Sequence, residues 1–448
     1  MTAAASGHSR NETSAPLTER RFLVPFVLIT SLFFLWAFGV NLNDILIPHL
    51  KKAFSLTDFQ SSFIQVAFFG GYCLAALPAG WAMEKIGYKK GILTGLLHCA
   101  TGAVPFLPAS SSRLYGFFLF ALFVMACGQS FLEVASNPYV TILGPAESAE
   151  RRLNFAQSFN AVGAVLSPII GRTFILTSAQ YAPAQIGAMT STQLASYRGA
   201  EASTVIGPYL MIAGIFIVIA VLIQFAHLPE VHEALSEADT TETREKPGSV
   251  LAHGHLVRGV IAQFFYVGAQ VGVASFVIRF TQFSVPGTVA KVAAMYLMLH
   301  QVGFMAGRFI GSALMKRVPA PRLLSLFAGG ALFCTLIALF ASGVTPVWAV
   351  VLIGFFHSIM FPTIFALSIK HLGPLTKRGS SLLVMAIIGG AFFPAIMGRV
   401  SDAASIQTAF LVPLFCYIYI LYFGISGYKP TAIPVLSRIA TETEAAPL

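Results

Sequence analysis

Long apolar stretches alternate with short polar connections along the whole chain. Runs long enough to cross a ~30 Å hydrocarbon core at ~1.5 Å per residue lie near 22–47, 60–83, 91–109, 114–143, 153–178, 205–228, 256–284, 291–315, 322–342, 346–370, 379–400 and 404–427. The pattern predicts an all-α integral membrane protein with twelve transmembrane helices. The first run is longer than twenty residues and has no small-residue cleavage site, so it reads as a retained span rather than a removed signal peptide.

The longest clearly polar connection, 229–255, is rich in Glu, Thr and His and divides the spans six and six. It reads as a flexible linker. The expected organisation is an N-terminal tail at 1–21, a six-helix bundle at 22–228, the linker, a second bundle at 256–427 and a C-terminal tail at 428–448. The bundles resemble each other. Residues 163–172, beginning Gly163 and ending Arg172, align without gaps to 390–399 at an offset of 227. Gly80, Ala82, Lys85 and Leu93 match Gly311, Ala313, Lys316 and Leu324 at an offset of 231. Parallel six-helix repeats imply two bundles related by an axis along the membrane normal, with a substrate site between them near the midplane.

Composition agrees: 56% of residues are hydrophobic and 10% charged, against ~25% charged in soluble domains. The net charge of +10 raises the possibility of a nucleic-acid partner, but its placement excludes that reading. With the N-terminus inside, 19 of the 28 Lys and Arg fall in cytoplasmic segments, 8 in external ones, and only Arg308 within a span. This is the positive-inside pattern, with both termini in the cytoplasm. The five cysteines all sit in spans and suggest small apolar residues rather than disulfides or metal ligands.

Two carboxylates alone, Asp44 and Glu133, lie within the apolar stretches. An ionisable group in hydrocarbon costs several kcal/mol, so such residues face a wet cavity or a partner and mark an ion or substrate route. Asn41 and Asp44 share a helix face near the outer end of span one; Gln129, Glu133 and Asn137 form a stripe at four-residue steps in span four. Gln157 and Asn160 repeat the three-residue spacing in span five, and Gln263, Tyr266 and Gln270 line one side of span seven. Neutral amides around an acid, with aromatics nearby, suit a neutral polyol, because amides donate and accept while rings cover an apolar sugar face. Arg308, seven residues after Gln301, reads as a partner for a carboxylate across the bundle or as a helix-end cap. His300 and His357 read as packing residues.

The segment 80–90, with Gly80, Glu84, Lys85, Gly87 and Lys89, resembles the loop signature of the major facilitator superfamily. Gly80 permits close helix approach, Glu84 is placed to pair with a base or a helix end, and the lysines anchor the inner face. Glu84 stands where that signature usually has Asp. The chain as a whole resembles the fucose:proton symporter family of that superfamily, which also includes glucose/galactose transporters. The likeness rests on 41–48, on Leu132, Glu133, Ala135, Asn137 and Pro138, on Asn154, Ala156, Gln157, Phe159 and Asn160, on 265–268 with Gln270, and on 362–365 through Lys370.

What the resemblance implies is proton coupling at Asp44, proton or sugar handling at Glu133, and sugar contact at Asn41, Gln157 and Asn160. Gln270 leans towards the fucose branch. The expected activity is proton-coupled uptake of a monosaccharide across the inner membrane by a monomer, with the proton as coupling ion, no other cofactor and no nucleic acid. The alternatives are a sodium-coupled or uncoupled glucose, galactose or mannose carrier, and a sugar sensor that does not transport. An enzyme is excluded by the absence of an H-E-x-x-H pair or G-x-S-x-G elbow in a convincing setting, and nucleotide energy by the absence of a phosphate-binding loop.

Overall fold

The computed structural model describes residues 15–54, 58–108, 114–175, 189–194, 196–197, 206–226, 228 and 249–430. Among them twelve helical rods form and no strand. These are α1 (Leu23–Phe54), α2 (58–86), α3 (88–102), α4 (Tyr115–Ile142), α5 (Ala149–Ile175) and α6 (Ile206–Phe225) in the first half. The second half holds α7 (Gly254–Ser284), α8 (Ala290–Leu314), α9 (Ala320–Phe340), α10 (Thr345–His357 and Met360–Ile369), α11 (Thr376–Met385 and Gly389–Ala403) and α12 (Leu411–Tyr422).

Local sequence explains the interruptions. Gly87 adopts φ 79°, ψ 173°, in the region that favours glycine, and the chain doubles back there. Met83 and Gly91, which a straight helix would hold ~12 Å apart, pack on one another across this hairpin. In α10 the break at Ser358 and Ile359 precedes Pro362, which has no N–H for the Ser358 carbonyl and whose ring crowds it. A 3₁₀ turn, Ala386–Ile388, divides α11.

Eight stretches of the described residues are long and apolar enough to cross a membrane, and one of them, Val66–Pro108, takes in most of α2 and all of α3. The rods outside this set are α5, α6 and α8. In α5 and α8 the shortfall has a reason: they carry Arg151, Arg152, Asn154, Gln157, His300 and Arg308, all buried. The lipid-facing surface is the reverse, with Leu74, Phe120, Phe225, Phe333, Phe340 and Phe415 exposed. Such a surface is a liability in water and ordinary in a bilayer.

The repeat is visible in packing. A Cβ on Gly163 of α5 would press on the Phe34 carbonyl of α1; a Cβ on Gly389 of α11 would press on that of Phe264 in α7. Thus α5 lies on α1 as α11 lies on α7. The halves are joined on the side where α2, α4, α8 and α10 end, here called the basic face because Lys85, Lys89, Lys316, Lys370 and Lys377 cluster there.

Three details go beyond the expected boundaries. Residues 15–21 of the N-terminal tail are packed on the first half. Thr18 Oγ1 donates to the Leu143 carbonyl, Ser148 Oγ to that of Pro16, and the fully buried Arg152 to that of Leu17, so this segment satisfies polar groups at the α4–α5 turn. The linker ends two residues early, because α7 starts at Gly254; residues 229–248 lie outside the described residues. The helix α1 runs on to Phe54, so Asp44 is ~8 Å beyond its middle rather than near its outer end.

Candidate functional site

The four-residue steps of α4 place Gln129, Glu133 and Asn137 on one face, and all three are buried. Gln129 Oε1 accepts from the Tyr72 hydroxyl at 3.3 Å, while its Nε2 has no partner. Glu133 Oε2 has none either. One turn on, Asn137 Nδ2 donates to the Glu133 carbonyl at 3.1 Å, and Asn137 Oδ1 accepts from Gln157 Nε2 of α5 at 2.9 Å.

Arg308 closes this chain from the other half. Its Nη1 donates to Gln157 Oε1 at 2.9 Å and to the Gln157 carbonyl at 2.7 Å, and its guanidinium lies 4.7 Å from the Phe304 ring centroid. Arg308 also acts electrostatically on Glu133, although no ion pair joins them among the described residues. Arg308 therefore ties α8 to α5.

The C-terminal half contributes a neutral wall. Gln263 of α7 is buried with neither amide atom partnered. One turn on, the Tyr266 hydroxyl donates to the His357 carbonyl at 3.0 Å, where α10 breaks. His357 Nε2 shares a 2.6 Å hydrogen bond with the Tyr417 hydroxyl, and its Nδ1 is unpartnered, as is Ser358 Oγ. His300 Nδ1 bonds the Val350 carbonyl at 2.9 Å. Helix rise places Gln129 and His357 near the middle of their rods, and Glu133, Gln263 and Arg308 roughly 7–9 Å towards the basic face. Buried polar atoms almost always have partners; here, within ~9 Å of depth, an amide nitrogen, a carboxylate oxygen, a whole amide, an imidazole nitrogen and a hydroxyl do not.

Below this belt the halves are fastened. Arg378 of α11 makes a two-pronged ion pair with Glu84 at 2.5 and 3.0 Å, and Lys377 Nζ donates to the Met83 carbonyl at 2.9 Å. Gly80 is the close-approach point, since a Cβ there would overlap Ser381 Oγ. Lys85 lies 3.8 Å from the Trp81 ring centroid, and Lys89 Nζ caps α6 through the Gln224 and Ala226 carbonyls at 2.9 and 2.8 Å. Across the second seam, Lys370 pairs with Glu150 at 3.0 Å and Asn154 Nδ2 donates to Thr363 Oγ1 at 3.1 Å.

Of the residues singled out from sequence, the structure draws Gln129, Glu133, Asn137, Gln157, Gln263 and Tyr266 into the buried belt. Asn160 and Gln270 are half-buried beside it. Asn41 spends its Nδ2 on the Ala37 carbonyl of its own helix at 2.7 Å. The Asp44 side chain lies outside the described residues. Glu84, Lys85, Gly87 and Lys89 all lie at the basic face, Glu84 with Arg378 as its partner. The sequence offers Arg308 as a partner for a carboxylate across the bundle, and the structure gives it Gln157 of the other half instead. It reads His357 as a packing residue, and its place at the break in α10 was missed.

The comparisons with known proteins agree with this architecture. Residues 29–390 match the family model of the Major Facilitator Superfamily. The chain is 43% identical to a glucose/galactose transporter of Brucella abortus biovar 1 (strain 9-941) over 93% of its length and 97% of the relative's. It is 42% identical to the L-fucose-proton symporter of Escherichia coli (strain K12), over 91% and 93%. The crystal structure of the transporter FucP in the outward conformation superposes with a TM-score of 0.83 at 41% identity, covering 90% of this chain and 99% of that one. The chain is a multi-pass membrane transporter, not an enzyme, and belongs to the fucose:proton symporter family of the major facilitator superfamily.

Proposed function

We propose that the protein carries a monosaccharide, L-fucose-like or another hexose, into the cell together with a proton by alternating access. The observation that carries this reading is the set of buried, unpartnered polar atoms on helices of both halves, Glu133 Oε2 among them. A polyol is the ligand whose hydroxyls both donate to and accept from Gln129, Gln263, His357 and Ser358, and Glu133 is the carboxylate in the belt able to take up and give back a proton. The named activities of the two relatives support a sugar as cargo, and that of the Escherichia coli relative supports a proton as coupling ion.

The basic face is cytoplasmic on this reading, following the positive-inside distribution, and the protein sits in the inner membrane as a monomer with both termini inside. The halves are fastened at that face, which supports reading this as the outward-facing state. Sugar and proton enter from outside, the Glu84–Arg378 and Lys370–Glu150 pairs give way, and both leave inside. Asp44 couples from the outer side while Glu133 serves the central cavity together with Asn41, Asn137, Gln157, Asn160, Gln263, Tyr266 and Gln270. A membrane potential supplies ~2.3 kcal/mol per charge per 100 mV, so one proton at ~150 mV sustains a sugar gradient of a few hundredfold.

A glucose or galactose carrier is the second reading, favoured by the Brucella relative. Counterflow of labelled L-fucose, D-galactose, D-glucose, D-mannose and D-fructose in proteoliposomes tests the proposal and ranks the sugars. Exchange of at least one of them is expected. Binding without exchange would make the protein a sensor and overturn the transport reading.

A further inference from the structure

The two seams at the basic face are related by the repeat, yet only one is chemically complete. The 227-residue offset that pairs Gly163 with Gly390 also pairs Arg151 with Arg378, and the 231-residue offset pairs Lys85 with Lys316 and Glu84 with Met315. Between α2 and α11, Arg378 meets Glu84. Between α5 and α8 the equivalent Arg151 has a methionine where the acid would stand.

A cavity of about 540 Å³ opens there, lined by Pro16, Arg151, Phe155, Phe309, Ser312 and Lys316 among others. Arg151 is only 8% exposed; its Nη2 donates to the Ala15 carbonyl at 2.7 Å, but its Nε has no partner. Among the described residues no acid pairs with Lys316 or Arg151; Glu150 pairs with Lys370 and Glu19 with Arg21. A buried guanidinium short of one acceptor, at the back of a half-open cavity with an exposed lysine at its rim, is an anion site without its anion. Its size exceeds what an inorganic ion fills, and the Phe155 and Phe309 rings offer an apolar wall to a larger body.

We propose that this cavity binds an organic phosphate, which supplies between α5 and α8 the negative charge that Glu84 supplies between α2 and α11. The phosphoryl oxygens accept from Arg151 Nε and Lys316 Nζ, while Ser312 Oγ, which donates to the Arg151 carbonyl at 3.4 Å, ties α8 to α5 beside them. Because Arg151 and Lys316 belong to different halves, the ligand binds only while the basic face is closed and holds it closed, acting as a brake on transport.

The test reads stability rather than sugar movement, so its failure is separate from failure of the transport reading. The protein in phosphatidylcholine nanodiscs is titrated with glucose 6-phosphate while its Tm is followed. A saturable rise in Tm is expected, reduced in Lys316→Gln and lost in Arg151→Gln. Met315→Glu, which restores the acid of the other seam, should raise Tm without ligand and abolish the response. A rise produced instead by phosphatidylglycerol nanodiscs, and lost in the same variants, assigns the phosphate to a lipid headgroup. No rise with either source, or a rise that persists in the Arg151→Gln/Lys316→Gln double variant, overturns the proposal.

Discussion

The two halves share a backbone plan, yet the polar belts they turn towards each other differ. The N-terminal half sets a carboxylate, Glu133, on the uninterrupted helix α4 and runs hydrogen bonds from there through Asn137 to Gln157. The C-terminal half has no carboxylate in its belt. It offers an amide with both ends unpartnered, Gln263, and a helix broken at His357. Its one charge, Arg308, is spent on the opposite half. Duplication thus copied the scaffold and let the chemistry diverge: one half is equipped to handle charge, the other to hold a neutral, hydroxyl-rich ligand.

That contrast can be broken by substitution. The largest effect is expected from Asp44→Asn, which should keep counterflow but lose proton-driven accumulation, a fall of about a hundredfold in the gradient reached. Intact accumulation would remove Asp44 from the coupling step. Next is Arg308→Gln. Loss of charged, buried hydrogen bonds worth ~1.5–3 kcal/mol should shift the conformational balance ~10- to 100-fold towards an open basic face, read as spin-label distances between α5 and α8. An unchanged distance distribution would mean Arg308 is not a clasp.

Gln263→Ala should weaken sugar binding about tenfold, seen in KM, while the accumulation ratio at saturating sugar is retained; loss of accumulation instead would blur the line between the halves. The smallest effect belongs to Glu84→Gln, whose ion pair with Arg378 is open to solvent. A change in transport rate of about fivefold or less is expected, and a larger one would make this seam the dominant gate.

Much of this was legible in the chain. Twelve rods follow from hydropathy, and the match between 163–172 and 390–399 falls on the two helices, α5 and α11, that pack alike on α1 and α7, although the close contact in the second half is at Gly389, one residue before the match. Glu133 announced itself as an acid in apolar surroundings. Partners were not legible, because they are set by how the halves dock: Arg308 finds Gln157 at a separation of 151 residues, and Arg378 finds Glu84 at 294. Pro362 hinted at the break in α10, but a proline in a span can equally be absorbed, as Pro138 is within α4. The order of residues 15–21 depends on carbonyls left open at the α4–α5 turn, which no local pattern records.

Proton movement with sugar is the centre of the account, and the most direct measurement is external pH in a weakly buffered, sodium-free suspension of de-energised vesicles. Adding the sugar that wins the counterflow screen should make the medium alkaline as protons enter with it, and the signal should vanish with a protonophore. Sugar entry without that pH change would contradict proton coupling.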